Sequence, residues 1–351
     1  MPNLSKLKTL LLAIKRRIKF FIIKTICMTD QEKSQLIKLL NANTFDENVE
    51  TLNILAQIII NLTKNHHFDE IQSEKEVDAK LTAQLVLSKI QHLNHLSDGI
   101  ALVPNAIKKL HDPSVNLIIS RNIFETVIHF NLLHILYKNE DPEISELIYL
   151  LWKLSSLKYR KRLFEIKKED EKSPEIKAIQ ESEEIQIEEI TNRIKNLQIY
   201  ISGSVNTVKQ IKQGIKQKKI WLIIDENQDI KTSVGPQKLC DKMTRDVPIL
   251  KEQYNRFSLL THPSKETTNM LQNISDTSIY KELTKGNLRI TNCLIAMFIS
   301  DLIKVFPNMI STFERMPIEQ QIICTVYNRL IREPNTGINE SYKIVIDDAS
   351  I

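Results

Sequence analysis

A chain of 351 residues can bury a sizeable core, as one large helical domain or two closely packed ones. Six glycines and eleven prolines are few for the turns of an all-β or α/β protein, and neither GxGxxG nor GxxxxGK occurs, which argues against a nucleotide-binding αβ fold. The net charge of +5 is held unevenly: residues 1–27 carry seven cations and no acid, leaving −2 for the remainder, so any RNA contact is local or depends on the first segment.

Leu4, Leu7, Leu11, Ile14, Ile18 and Phe21 repeat at spacings of three and four between lysines and arginines, which predicts a basic amphipathic helix over 1–27. Lys15, Arg16, Arg17 and Lys19 interrupt its apolar runs too early for a membrane span, and its apolar core is too short for a secretory signal. Two readings stay open. It is a surface-lying helix giving peripheral contact with an inner membrane, or else a terminal helix packed on the body or an extension upstream of a true start at Met28. Beyond it, residues 28–351 are expected to form one large helical domain, with N-terminal helices over 28–100, a core over 101–310 and a last helix and tail over 311–351.

Start signals place the helices of that body. Thr29–Glu32, Thr44–Glu47 and Ser73–Glu76 are capping boxes, while Asp141-Pro142 and Ser173-Pro174 set a cap before a first-turn proline. They predict helices over 30–41, 46–64, 73–97, 114–138, 142–170 and 174–201, with further ones over 205–219, 246–262, 278–305 and 317–332. The fold class expected is therefore all-α, a bundle of about ten helices. Residues 165–198, dense in Glu, Lys and Ile, suggest a long charged helical hairpin. The stretch 220–245 is the least regular, and its apolar run Trp221-Leu222-Ile223-Ile224 fits a strand or a loop.

Chemistry-bearing residues fall in two places. Arg121, Glu125 and His129 follow one another at intervals of four on the apolar segment Val115–Tyr137, forming a stripe that is either a solvent face or the lining of a polar cavity. Tyr254, Ser258 and His262 likewise share one face of a helix that Pro263 ends, which puts His262 at the helix terminus with an imidazole able to exchange protons near neutral pH. No metal site or cofactor is expected. The pairs His66-His67, His92 with His95 and His129 with His134 lack acidic and cysteine company, and Cys27, Cys240, Cys293 and Cys324 are too dispersed for a ribbon or a disulfide framework. Reduced, packed thiols fit a cytoplasmic protein.

Arg121-x-x-x-Glu125 is followed by Leu150-Leu151-Trp152-Lys153-Leu154 leading into Tyr159-Arg160-Lys161-Arg162-Leu163, and then by Tyr254-x-x-x-Ser258-x-x-x-His262-Pro263-Ser264. This order resembles a bacterial all-helical family whose members carry an Arg/Glu helix, a Trp-and-Arg helix, a charged hairpin and a terminal Tyr/Ser/His motif. The resemblance covers roughly residues 100–310 and brings a fold but no activity with it. A looser resemblance is to the HEPN superfamily of helical nucleases and toxins, marked by an arginine, about four to six residues, and a histidine; Arg256 and His262 have that spacing. It implies metal-independent RNA cleavage in bacterial defence at a site often shared by two protomers of a homodimer. His262 would be the general acid and base, with Arg256 or Arg121 on the scissile phosphate. Phe257 departs from that pattern, and on an unbroken helix Arg256 lies about 120° from His262. The alternative is a non-catalytic helical binding protein in which Arg121, Glu125, Tyr254, Ser258 and His262 make a polar cluster or ligand pocket. Whether the chain is an enzyme stays open between the two.

Overall fold

The computed structural model describes residues 28–64, 73–101, 103, 109–138, 141–165, 173–217, 222–224, 230–232, 238–239, 242, 248–260, 265–270 and 276–332. The basic segment 1–27 and the tail beyond Arg332 therefore lie outside the described residues. The protein is all-α: 85% of what is described is helical, including eleven helices of seven residues or more. The helices are α1 (Asp30–Leu40), α2 (Phe45–Lys64), α3 (Glu74–Ser97), α4 (Pro113–His134), α5 (Pro142–Glu165), α6 (Pro174–Lys195), α7 (Gln198–Ile201), α8 (Val205–Gln217), α9 (Pro248–Leu260), α10 (Lys265–Met270), α11 (Thr277–Val305), α12 (Met309–Arg315) and α13 (Ile318–Arg332). Two antiparallel hairpins interrupt them: β1 (Ile100–Ala101) pairs with β2 (Lys109–Leu110), and β3 (Leu222–Ile224) pairs with β4 (Ile230–Thr232).

Local chemistry starts the helices where the sequence placed them. The Thr29 and Ser73 hydroxyls accept from the N–H groups of Glu32 and Glu76, whose carboxylates accept in return from the cap backbone. Asp141 accepts from Glu143 and Ile144 ahead of α5, and Asp276 from Ser278 and Ile279 ahead of α11. One expected helix is divided. The span 174–201 breaks after Lys195, because the carboxylate of Glu143, on α5, accepts the Gln198 and Ile199 N–H groups and caps a separate short helix, α7. Helices α10 and α12 and the β1–β2 hairpin had no counterpart among the expected elements. The irregular stretch 220–245 contains the β3–β4 hairpin, a strand pair of three residues each.

Two compact units are formed, one by the described residues of Met1–Val127 and Thr244–Ile351, the other by those of Ile128–Met243, with the boundary inside α4. In the first, α11 is the axis. Leu288, Leu294, Ile295, Ala296, Met297, Phe298, Ile299 and Leu302 are fully buried there, and α2 and α13 pack on this helix. Each large apolar side chain so buried stabilises the fold by roughly 1.5–3 kcal/mol before chain entropy is counted. Polar groups inside are tied to backbone: Tyr327 donates to the Leu39 carbonyl at 2.9 Å and Asn292 to that of Asn48 at 2.9 Å. Cys293 and Cys324 are buried thiols in the same core.

In the second unit α5 and α6 form an antiparallel pair, laced by Arg160–Glu183 (2.9 Å), Lys161–Glu184 (2.7 Å) and Arg193–Glu146 (2.6 Å). The charged hairpin expected over 165–198 thus takes its first arm from the Trp152 and Arg160 helix, α5. Helix α8 packs on β4 and α5, and Lys158 donates to the carbonyl of Ile215 at 2.6 Å, in the last turn of α8. A cation there compensates the negative end of the helix dipole.

Candidate functional site

On α4 the residues Ile123, Phe124 and Val127 point into the first unit, while Asn122 is exposed. Arg121 and Glu125, four apart, fall on the flank between, with side chains 25% and 32% exposed. The arginine therefore lies neither on an open face nor in a sealed cavity, the two alternatives that the spacing left open. Its Nε donates to Glu125 Oε1 at 2.9 Å. On α9, Leu250, Gln253 and Phe257 form the buried face. Gln253 is held by the Asn287 side-chain carbonyl of α11. Tyr254 follows one position round and reaches the same carboxylate oxygen, its hydroxyl donating to Glu125 Oε1 at 3.4 Å.

Aromatic packing sets that position. The Tyr254 ring lies 5.4 Å from Phe124, which also meets Phe257 edge-on at 6.3 Å, and the Arg121 guanidinium carbon stands 5.6 Å over the Tyr254 ring. Burial alone would lower the pKa of Arg121, but the hydrogen bond and charge of Glu125, with a smaller contribution from Tyr254, raise it above its ordinary value. Burial, with the charge of Glu125 added, raises that of Tyr254 against the opposing pull of Arg121. At neutral pH the cluster is a cation, a carboxylate and an un-ionised phenol. It can offer hydrogen bonds to a polar group, and it contains no activated nucleophile.

The other sequence-predicted residues are placed differently. Ser258 is partly buried on the Tyr254 side of α9, one turn on. Arg256 is exposed and stands about 200° round the helix from Tyr254, so the fold does not bring it to Arg121. The helix expected over 246–262 is described as Pro248–Leu260, and His262 lies outside the described residues with Pro263 and Ser264. His92 and His95 are exposed on the last turns of α3, and His129 belongs to the second unit. Among the described residues no three His, Cys, Asp or Glu side chains are grouped so as to hold a metal ion. No helix among them is long and apolar enough to cross a membrane. Phe124 and Phe257, which seat Tyr254, were not singled out in the sequence, where they read as ordinary core residues at helical spacing. Compared with protein-family models, with curated proteins and with solved structures, the chain matches none.

Proposed function

We propose that this is a non-catalytic helical binding protein and that the Arg121–Glu125–Tyr254 cluster is a recognition element for a small polar ligand bearing a carboxylate or phosphate. The observation that carries the reading is the state of Arg121. It is charge-compensated by Glu125, laid over Tyr254 and still one-quarter exposed, which pre-orients a guanidinium for an anion without leaving an uncompensated charge in the apo protein. As a purely structural device the trio is weak, since an ion pair this exposed contributes under about 1 kcal/mol.

A second reading keeps the metal-independent ribonuclease, a HEPN-like enzyme of bacterial defence acting as a homodimer. It is favoured by one observation, that Arg256 is exposed and open to a phosphate. One pair of assays separates the two. Thermal shifts are measured with a panel of nucleotides, sugar phosphates and dicarboxylates on the wild type, Arg121→Met and Tyr254→Phe. Metal-free cleavage of labelled RNA is measured on the wild type, Arg256→Ala and His262→Ala. The binding reading expects at least one ligand to raise the wild-type Tm by about 5–10 °C at a hundred times its Kd, an effect absent from both cluster variants, and no cleavage. Cleavage abolished by Arg256→Ala and His262→Ala in folded protein would sink it and establish the ribonuclease.

A further inference from the structure

Lysines and arginines of the second unit are not all accounted for by its ion pairs. Arg160, Lys161 and Arg193 are matched with Glu183, Glu184 and Glu146, and Lys158 is tied to the end of α8. Arg162, Lys209 and Lys216 have no ion-pair partner among the described residues, and Lys212 stands 5.9 Å over the Tyr200 ring. These four converge. Lys158, Lys161 and Arg162 of α5 and Lys216 of α8 line a groove of about 580 Å³ with Glu184 and Glu188 on its far wall. Lys216 also lines a neighbouring groove of about 500 Å³, along which Lys209 and Lys212 follow at helical spacing. Helix α8 has no acidic residue, so one continuous cationic track runs from Arg162 past Lys216 to Lys209.

The chemistry of the track decides between anionic partners. A helix that lies on a bilayer must turn an apolar face outward. Helix α8 turns most of its own inward: Ile211 is fully buried, and Thr207 and Gly214 are buried with it. The outward side carries Lys209, Lys212 and Lys216 with one exposed large apolar residue, Val205 in the first turn, which is too little to seat the helix in a bilayer. On α5 Tyr159, 61% exposed, follows Lys158 and stands about 60° round the helix from Arg162, on the flank of the groove rather than in its lining. Spaced cations beside an exposed aromatic ring suit a strand whose phosphates are matched one by one and whose bases stack.

We propose that the α5–α8 groove binds the backbone of a single-stranded polynucleotide, with Arg162, Lys209, Lys212 and Lys216 on phosphates and Tyr159 as a stacking platform. The inference concerns the second unit alone and does not rest on the reading of the Arg121 cluster.

The test is fluorescence anisotropy of labelled oligouridylate and oligothymidylate with the full-length protein across a range of salt concentrations. Because residues 1–27 are themselves basic, the readout is the difference between wild type and variants. Four phosphates neutralised in the groove contribute about −2.8 to the slope of log K against log salt for a single strand, and Lys209→Gln with Lys216→Gln removes about 1.4 of it. Binding by that variant is expected to fall about tenfold or more at low salt, while the variant Lys33→Gln, at a lysine of the first unit, leaves both unchanged. Arg162→Gln and Tyr159→Ala are read separately: the first should cost about 0.7 in slope, the second affinity without slope. Equal binding of the two oligonucleotides identifies any single strand as the ligand, and preference for the uridylate identifies RNA. No binding at low salt overturns the proposal, as does a double variant with the wild-type slope. Loss of phosphatidylserine-vesicle binding in the double variant, without oligonucleotide binding by the wild type, overturns it in favour of a membrane surface.

Discussion

Asp301 is a carboxylate 1% exposed on α11, held by Arg332 Nη2 of α13 at 2.5 Å and by Lys304 Nζ at 3.3 Å. The two cations are not equivalent. Lys304 is half exposed and its attraction is screened, whereas Arg332 is only 24% exposed and joins α13 to α11 across the core of the first unit. Arg332→Met keeps most of the apolar stem and removes the guanidinium, so the loss is electrostatic rather than one of packing. Breaking a buried pair by removing one partner costs about 3–5 kcal/mol. The contacts that Asp301 retains bring the expected cost down to about 2–3 kcal/mol, or a fall in Tm of roughly 4–12 °C for a unit of this size. Adding Asp301→Asn takes away the charge that had lost its partner and is expected to recover at least about 1 kcal/mol. Urea titrations of the wild type, both single variants and the double variant close the cycle. If Arg332→Met costs under about 1 kcal/mol and the double variant is no more stable than the single one, the pair does not control the α11–α13 contact and the reasoning fails.

Two further stability tests probe the same unit. Gly99 has φ +76°, and a Cβ there would meet His111 Cε1 at 2.6 Å and Lys109 Cβ at 2.9 Å, so Gly99→Ala is expected to destabilise by about 2–3 kcal/mol. Gly286→Ala, inside α11 with nothing within 4 Å, should instead stabilise by about 0.5–1 kcal/mol; the same sign for both in urea unfolding would contradict the geometry. Burial pushes the Cys293 and Cys324 thiols up to about 12, and burial with the charge of Cys293 does the same to the Tyr327 phenol. The folded protein keeps protons that the unfolded chain releases, so this contribution is full below about pH 9 and is lost as pH rises towards 12. Between about pH 9 and 10 the two thiols together steepen the fall by roughly 2 kcal/mol per pH unit. Cys293→Ala with Cys324→Ala is therefore expected to show a visibly shallower decline, and parallel declines would count against the assignment.

Most helix starts were legible because their causes are local. Thr29 with Glu32, Ser73 with Glu76 and Ser173 before Pro174 complete their caps within one turn of chain, so the signal is contained in four consecutive residues. Apolar spacing likewise marked α2 and α11, and the scarcity of glycine fixed the all-α class. At the candidate site the sequence determined that Arg121 and Glu125 share a helix face, and that Tyr254 and Ser258 share another. Tertiary structure decided what those faces meet. Glu125 and Tyr254 are 129 positions apart, and only the packing of Phe124 against Tyr254 and Phe257 brings the phenol to the carboxylate while leaving Arg256 on the outer side. The division of the span 174–201 has the same origin, a cap supplied by Glu143 from another helix. So does the groove between α5 and α8, whose lysines are unremarkable in the sequence and become a track only when the two helices lie together. A helix periodicity states which side chains lie on one face, but whether that face meets solvent, core or a distant carboxylate depends on contacts made by residues remote in the chain.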